Sequence, residues 1–157
     1  MKNYDRSVTK ILEIGTLICV FGLILTVLFQ ILTRRFFVEQ APAWTEEASR
    51  FFFVYAISFA AGLAQKDDEF VSMDYVYRKM NAGARRIADL TINALSIVLF
   101  LVMAVYSVQF IWLGAVETSP SLGLPMAIAF ASMLVMSGSL TYFLTVQLAR
   151  KIRTFKG

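Results

Sequence analysis

The chain contains no histidine. That absence removes bis-histidine haem ligation, histidine-bound zinc and the commonest general base. There is one cysteine, Cys19, in the middle of an apolar run. It has no partner for an intrachain disulfide and reads as a small apolar side chain. No HExxH, G-x-S-x-G or Walker-type motif occurs, so neither a nucleophile with its base nor a phosphate cradle is present. The acidic run Asp67-Asp68-Glu69 does not make a metal site, since adjacent acids rarely converge on one ion without other ligands. The sequence therefore predicts no enzyme activity, no cofactor and no metal. Charge is also scarce inside the apolar blocks, which argues against a proton relay or an ion pathway contained in this chain. A transporter that binds its own solute normally carries broken helices or polar midplane residues, and here the midplanes are apolar.

What the chain has instead is hydrophobicity in long blocks. Hydrophobic residues make up 58% of it and the mean hydropathy is +0.66, which excludes an ordinary soluble domain. The net charge of +4 is not a nucleic-acid footprint, because the basic residues flank the apolar blocks. Four spans are expected, at residues 14–33, 44–64, 90–113 and 126–148, within a single all-α membrane domain covering residues 1–157. Placing both termini and the Gln65–Arg86 loop in the cytoplasm puts 12 of the 15 Lys and Arg inside; Arg34, Arg35 and Arg50 stay outside. The topology is N-in and C-in. Between the second and third spans, Phe70, Val71, Met73, Val76, Tyr77 and Met80 recur at helical spacing, as in a helix lying flat on the membrane surface.

The second span is the most informative stretch. Its purely apolar part, Phe51 to Ala64, is about 14 residues, roughly 21 Å at helical rise, too short for a core of about 30 Å. A helix starting at Trp44, just after the break imposed by Pro42, is long enough. Glu46, Glu47 and Arg50 then sit at the membrane boundary, with the arginine one turn from both acids. Either they cap a solvated helix N-terminus, or another protein packs on them, because charge at membrane depth usually faces protein. Further along, Ala56, Ser58, Ala60, Gly62 and Ala64 are spaced for close approach of another helix. Later in the chain, Pro120 and Pro125 punctuate a turn-rich loop, and Pro125 is placed to open the last helix. Ser137-Gly138-Ser139 reads as a close-packing point in that helix.

Four stretches together resemble the small membrane subunit of tripartite ATP-independent periplasmic (TRAP) transporters. They are W-T-E-E-A-S-R at Trp44–Arg50, A-A-G-L-A at Ala60–Ala64, E-F-V-S-M-D at Glu69–Asp74 and E-T-S-P-S-L-G-L-P at Glu117–Pro125. Their order and spacing extend the resemblance over essentially the whole chain. Two departures stand out: Phe70 replaces the family's usual histidine, and Ala131 and Ser132 occupy the region where the last helix often carries a proline. The resemblance implies a four-helix accessory subunit in the bacterial inner membrane. Its partners would be a large membrane subunit, which moves carboxylate-bearing solute and sodium, and a periplasmic binding protein. Membrane lipids would surround it, and nucleic acid would play no part. Trp44, Glu46, Glu47, Arg50, Ser58 and Gly62 would form the subunit contact. Asp74 would fix the surface helix, and Thr118, Ser119, Pro120 and Pro125 the outer turn.

Two other readings of the residues stay open at this point. A self-contained homo-oligomeric four-helix transporter would need a membrane carboxylate in the first span, where Glu13 lies only at the edge. A haem-free membrane anchor of a redox complex is compatible with the missing histidine.

Overall fold

Long apolar runs bounded by proline, glycine and charge fold as helices, because a backbone in a low-dielectric medium must satisfy its own hydrogen bonds. A computed structural model describes residues 6–36, 42–66 and 82–155. These residues form four helices: α1 (Arg6–Phe36), α2 (Trp44–Lys66), α3 (Ala82–Gly114) and α4 (Ala127–Phe155). The surface helix expected between the second and third spans, and Asp74 within it, lie outside the described residues. So do residues 37–41.

The helices alternate in direction. Gly15 packs on Phe59, Gly22 on Phe52 and Phe29 on Trp44, so α1 and α2 run antiparallel. Gly114 and Phe110 meet Phe130, which makes α3 and α4 a second antiparallel pair. The two pairs join along α2 and α4, which run parallel: Tyr55 reaches Ile128, Gly62 meets Ser139, and Gln65 meets Gln147. The main helix contacts among the described residues are α1 with α2, α2 with α4 and α4 with α3. The spatial order is thus α1–α2–α4–α3, an open row rather than a closed bundle.

This order explains the uneven apolarity of the helices. Three of them, at Arg6–Phe36, Ile87–Gly114 and Ala127–Ile152, are long and apolar enough to cross a membrane. The second helix is not among them. It is long enough at 23 residues, but its first two turns hold Glu46, Glu47 and Arg50 and its end holds Gln65 and Lys66. Its neighbours α1 and α4 cover two of its sides, so it meets less of the surroundings than the helices at the ends of the row. Those end helices are the greasiest on their free faces, with Leu17, Ile18 and Phe21 exposed on α1 and Leu95, Val98 and Trp112 exposed on α3.

The row has two unlike ends. At the terminal end, where α1 begins and α4 finishes, Leu12 and Phe143 are buried, with Val8, Phe59, Leu63, Tyr142 and Val146 packed on them. Phe143 is wholly buried. At the loop end, the buried side chains include Thr45, Ser119 and Ser132. The terminal end is also drawn tight by close approach: a Cβ on Gly62 would lie 2.8 Å from Ser139 Oγ and 3.1 Å from Leu12 Cδ1. Glycine is required there because three helices converge on one point.

Candidate functional site

The loop end collects most of the residues that the sequence singles out. Helix α2 starts at Trp44 because Pro42 ends the preceding segment and its carbonyl oxygen then accepts from Thr45 twice. The Thr45 amide donates at 3.2 Å and the hydroxyl at 2.8 Å. This turn buries Thr45 and puts the next residues on different sides of the helix. Trp44 lies half-exposed against Phe29 of α1, with ring centroids 6.0 Å apart. Glu46 faces the α1 side. Its Oε1 accepts from Arg50 Nη2 at 2.6 Å, and its Oε2 is 3.9 Å from Arg34 Nη2. All three side chains are largely exposed.

Glu47 points the other way, into the loop that joins α3 to α4. That loop begins where α3 ends at Gly114, whose backbone lies so close to Phe130 and Ala127 that a Cβ would collide with both. It then folds on itself. Thr118 and Pro125 form an isolated antiparallel bridge, Ser119 N–H donates to Leu124 O at 2.8 Å, and Gly123 N–H donates to Ser119 O at 3.1 Å. Gly123 takes a φ of 66°, the left-handed region that glycine enters without a Cβ clash. The tight reversal aims two successive amides, Ser121 and Leu122, at one point. Glu47 Oε2 fills it, accepting from both at 3.0 Å, while the Ser119 hydroxyl beside it accepts from Leu122 N–H at 3.3 Å. Successive amides arranged in this way make an anion-binding concavity, here occupied by a carboxylate of the same chain.

The named residues therefore divide into two groups. Trp44, Glu46 and Arg50 form an exposed charged and aromatic patch with Arg34. Glu47, Thr118, Ser119, Pro120 and Pro125 belong to one internally hydrogen-bonded corner. Pro125 does not open α4 itself; it sits two residues ahead and its carbonyl accepts Ile128 N–H at 3.1 Å. Within this chain Ser58 and Gly62 are buried, Gly62 by Ser139 and Leu12. The reason is geometric, since α2 lies between α1 and α4 and its small residues are used by those neighbours. Ser137-Gly138-Ser139 is split in the same way. Ser137 is buried and Ser139 packs on Gly62, but Gly138 is exposed with nothing within 4 Å of a would-be Cβ.

Reading the sequence alone missed the contacts that tie α2 to α4 and, through Lys66, to α1. Gln65 Nε2 donates to Gln147 Oε1 at 2.9 Å, and Gln147 Nε2 donates to the Gln65 carbonyl at 2.9 Å. Tyr55 donates its hydroxyl to Ile128 O at 2.7 Å. Lys66 Nζ pairs with Glu13 Oε1 at 3.5 Å. Their signal was one amide near the end of each helix, which only a known helix pairing turns into a contact.

The architecture defines a class: an all-helical protein with three helices apolar enough to cross a membrane and, among the described residues, no group of metal-ligating side chains. Comparison with known proteins gives that class a family. Residues 23–154 match the family described as "Tripartite ATP-independent periplasmic transporters, DctQ component". The chain belongs to that family. It is also 25% identical, over 141 residues, to a Haemophilus influenzae protein that carries the name of a TRAP transporter small permease; the alignment covers 90% of this chain and 84% of that one. The family is a transporter component and not an enzyme family.

Proposed function

We propose that the chain is the scaffold subunit of a binding-protein-dependent secondary transporter in the bacterial inner membrane. It holds the stationary part of a large membrane subunit that moves carboxylate solutes, such as C4-dicarboxylates or sialic acid, together with sodium. A periplasmic binding protein delivers the solute. All four helices span, including α2. The terminal end faces the cytoplasm and the loop end the periplasm, in line with the flanking Lys and Arg. The observation that carries this reading is the family match over residues 23–154 in a chain whose helices form an open row. An open row buries little of itself and leaves broad apolar faces for lipid and a large partner.

The exposed patch of Trp44, Glu46, Arg50 and Arg34 is the part of the expected contact still available to that partner. Glu47, Ser58 and Gly62 serve it indirectly, by shaping the chain that carries the patch. A self-contained transporter built around Glu13 is disfavoured, because that carboxylate is paired with Lys66 at the end of the helix row.

The test is co-purification of the tagged chain from membranes of its native host in mild detergent. A stoichiometric large hydrophobic partner is the expected result. Recovery of the chain alone as a discrete homo-oligomer would overturn the scaffold reading.

A further inference from the structure

The α1–α2 pair and the α3–α4 pair meet mainly along one seam, α2 against α4, which Leu12 of α1 joins at one end, and the two ends of that seam are built differently. At the terminal end it contains the Leu12–Phe143 cluster and the reciprocal Gln65–Gln147 hydrogen bonds. Such a contact is hard to separate, since apolar packing and two amides are lost together. At the loop end the seam contains polar contacts: Tyr55 to the Ile128 carbonyl, and Glu47 in the amide cup of residues 119–122. The side chains buried there, Thr45, Ser119 and Ser132, are small and polar and supply little packing. Among the described residues, the main contact of helix α3 is with α4 and not with the α2 side of the seam.

We infer that the protein contains a hinge and a latch. The hinge is the apolar terminal end of the α2–α4 seam. The latch is the Glu47 carboxylate held by the Ser121 and Leu122 amides. While Glu47 sits in the cup, the α3–α4 pair is fixed against α2 and the loop keeps its reversal. When it leaves, two amide donors aimed at one anion lose their acceptor, the loop loosens, and the two helix pairs splay from the loop end. This device is independent of which partner the chain serves.

The test uses double electron–electron resonance on the full chain in lipid nanodiscs, in a Cys19→Ala background. One spin-label pair, Phe53→Cys with Leu124→Cys, spans the loop end. A second, Ile11→Cys with Ile152→Cys, spans the terminal end. Glu47→Ala is expected to lengthen and broaden the loop-end distance distribution and leave the terminal-end distribution as in the parent. Glu47→Gln, which keeps one acceptor oxygen but no charge, should fall between. If Glu47→Ala does not fold, Ser119→Ala removes the hydroxyl that braces the Leu122 side of the cup and should give the milder broadening alone. A loop-end distribution unchanged in the folded variants would overturn the latch, and equal broadening at both ends would overturn the hinge. Neither result depends on recovering a partner, so the latch and the scaffold reading fail separately.

Discussion

The two ends of the helix row solve one problem with different chemistry. The terminal end joins three helices with apolar side chains around a fully buried Phe143 and adds amide pairs at its rim. The loop end joins them with a carboxylate, two amides and hydroxyls, and leaves a charged patch outside. Apolar packing between membrane helices gains no hydrophobic transfer energy, because lipid is as apolar as leucine. Tight fit is what remains, and it tolerates little change. The polar end can be remodelled one hydrogen bond at a time. The comparison places stability at the terminal end and adjustable contact at the loop end.

The largest loss of stability is expected from Phe143→Ala. Truncating a fully buried aromatic costs about 3 kcal/mol or more, and here it also loosens Leu12 and the packing of α1 on α4. SDS titration of the purified chain, followed by circular dichroism, reads the shift. A cost no larger than that of a loop-end substitution would erase the distinction between the ends. Gly62→Ala comes next. Its new Cβ would sit 2.9 Å from Ser139 Cβ, a short and stiff neighbour, so the helices must part by a few tenths of an ångström. Overpacking of this kind costs about 1–3 kcal/mol. The same substitution at Gly138, where the space is open, should leave stability unchanged or raise it slightly through helix propensity. The pair thus separates close packing from mere small-residue content, and equal effects at both sites would refute the assigned seam.

Those two glycines also mark what could be read from sequence. The spacing around Gly62 announced a close helix contact, and the structure has one. The spacing cannot say whether the neighbour is another subunit or another part of the chain, and the neighbours proved to be Leu12 and Ser139. Gly138, flanked by two serines, looked equally suited to packing and faces outward. The same limit applies to the carboxylates. Glu46 and Glu47 are adjacent in sequence and both within one turn of Arg50, yet a step of about 100° around the helix sends one to Arg50 and the other to a loop more than seventy residues away. Helix existence, the Pro42 break and the loop at Thr118–Pro125 were legible because they follow from local chemistry. The order α1–α2–α4–α3 was not, because nothing local says that α2 prefers α4 to α3.

Gln147→Leu probes the rim of the terminal end and should have a smaller effect. It removes a buried amide that both donates to and accepts from Gln65. Interhelical hydrogen bonds in membranes are worth about 0.6 kcal/mol on average and rarely much more than about 1.5, so a shift of about 1 kcal/mol in the SDS titration is expected. A loss as large as that of Phe143→Ala would mean that the amides, and not the apolar cluster, hold the terminal end.

The smallest effect on folding is expected for Arg50→Ala, and that makes it the most informative at the loop end. The Arg50–Glu46 pair lies on the surface with the arginine side chain 75% exposed. Exposed pairs one helical turn apart contribute only about 0.3–0.5 kcal/mol, so the isolated chain should unfold almost as the parent does. Assembly is a different matter. If the patch docks on a large membrane partner, that contact takes Glu46 out of water, and without Arg50 its charge would be buried with only the distant Arg34 beside it. Breaking a desolvated pair in this way is strongly destabilising to the complex. Recovery of the partner with the tagged chain should therefore fall sharply while the stability of the chain alone hardly moves. Equal recovery for Arg50→Ala and the parent would show that the patch is only a solvated helix cap, and would move the search for the contact to the open apolar faces of α1 and α3.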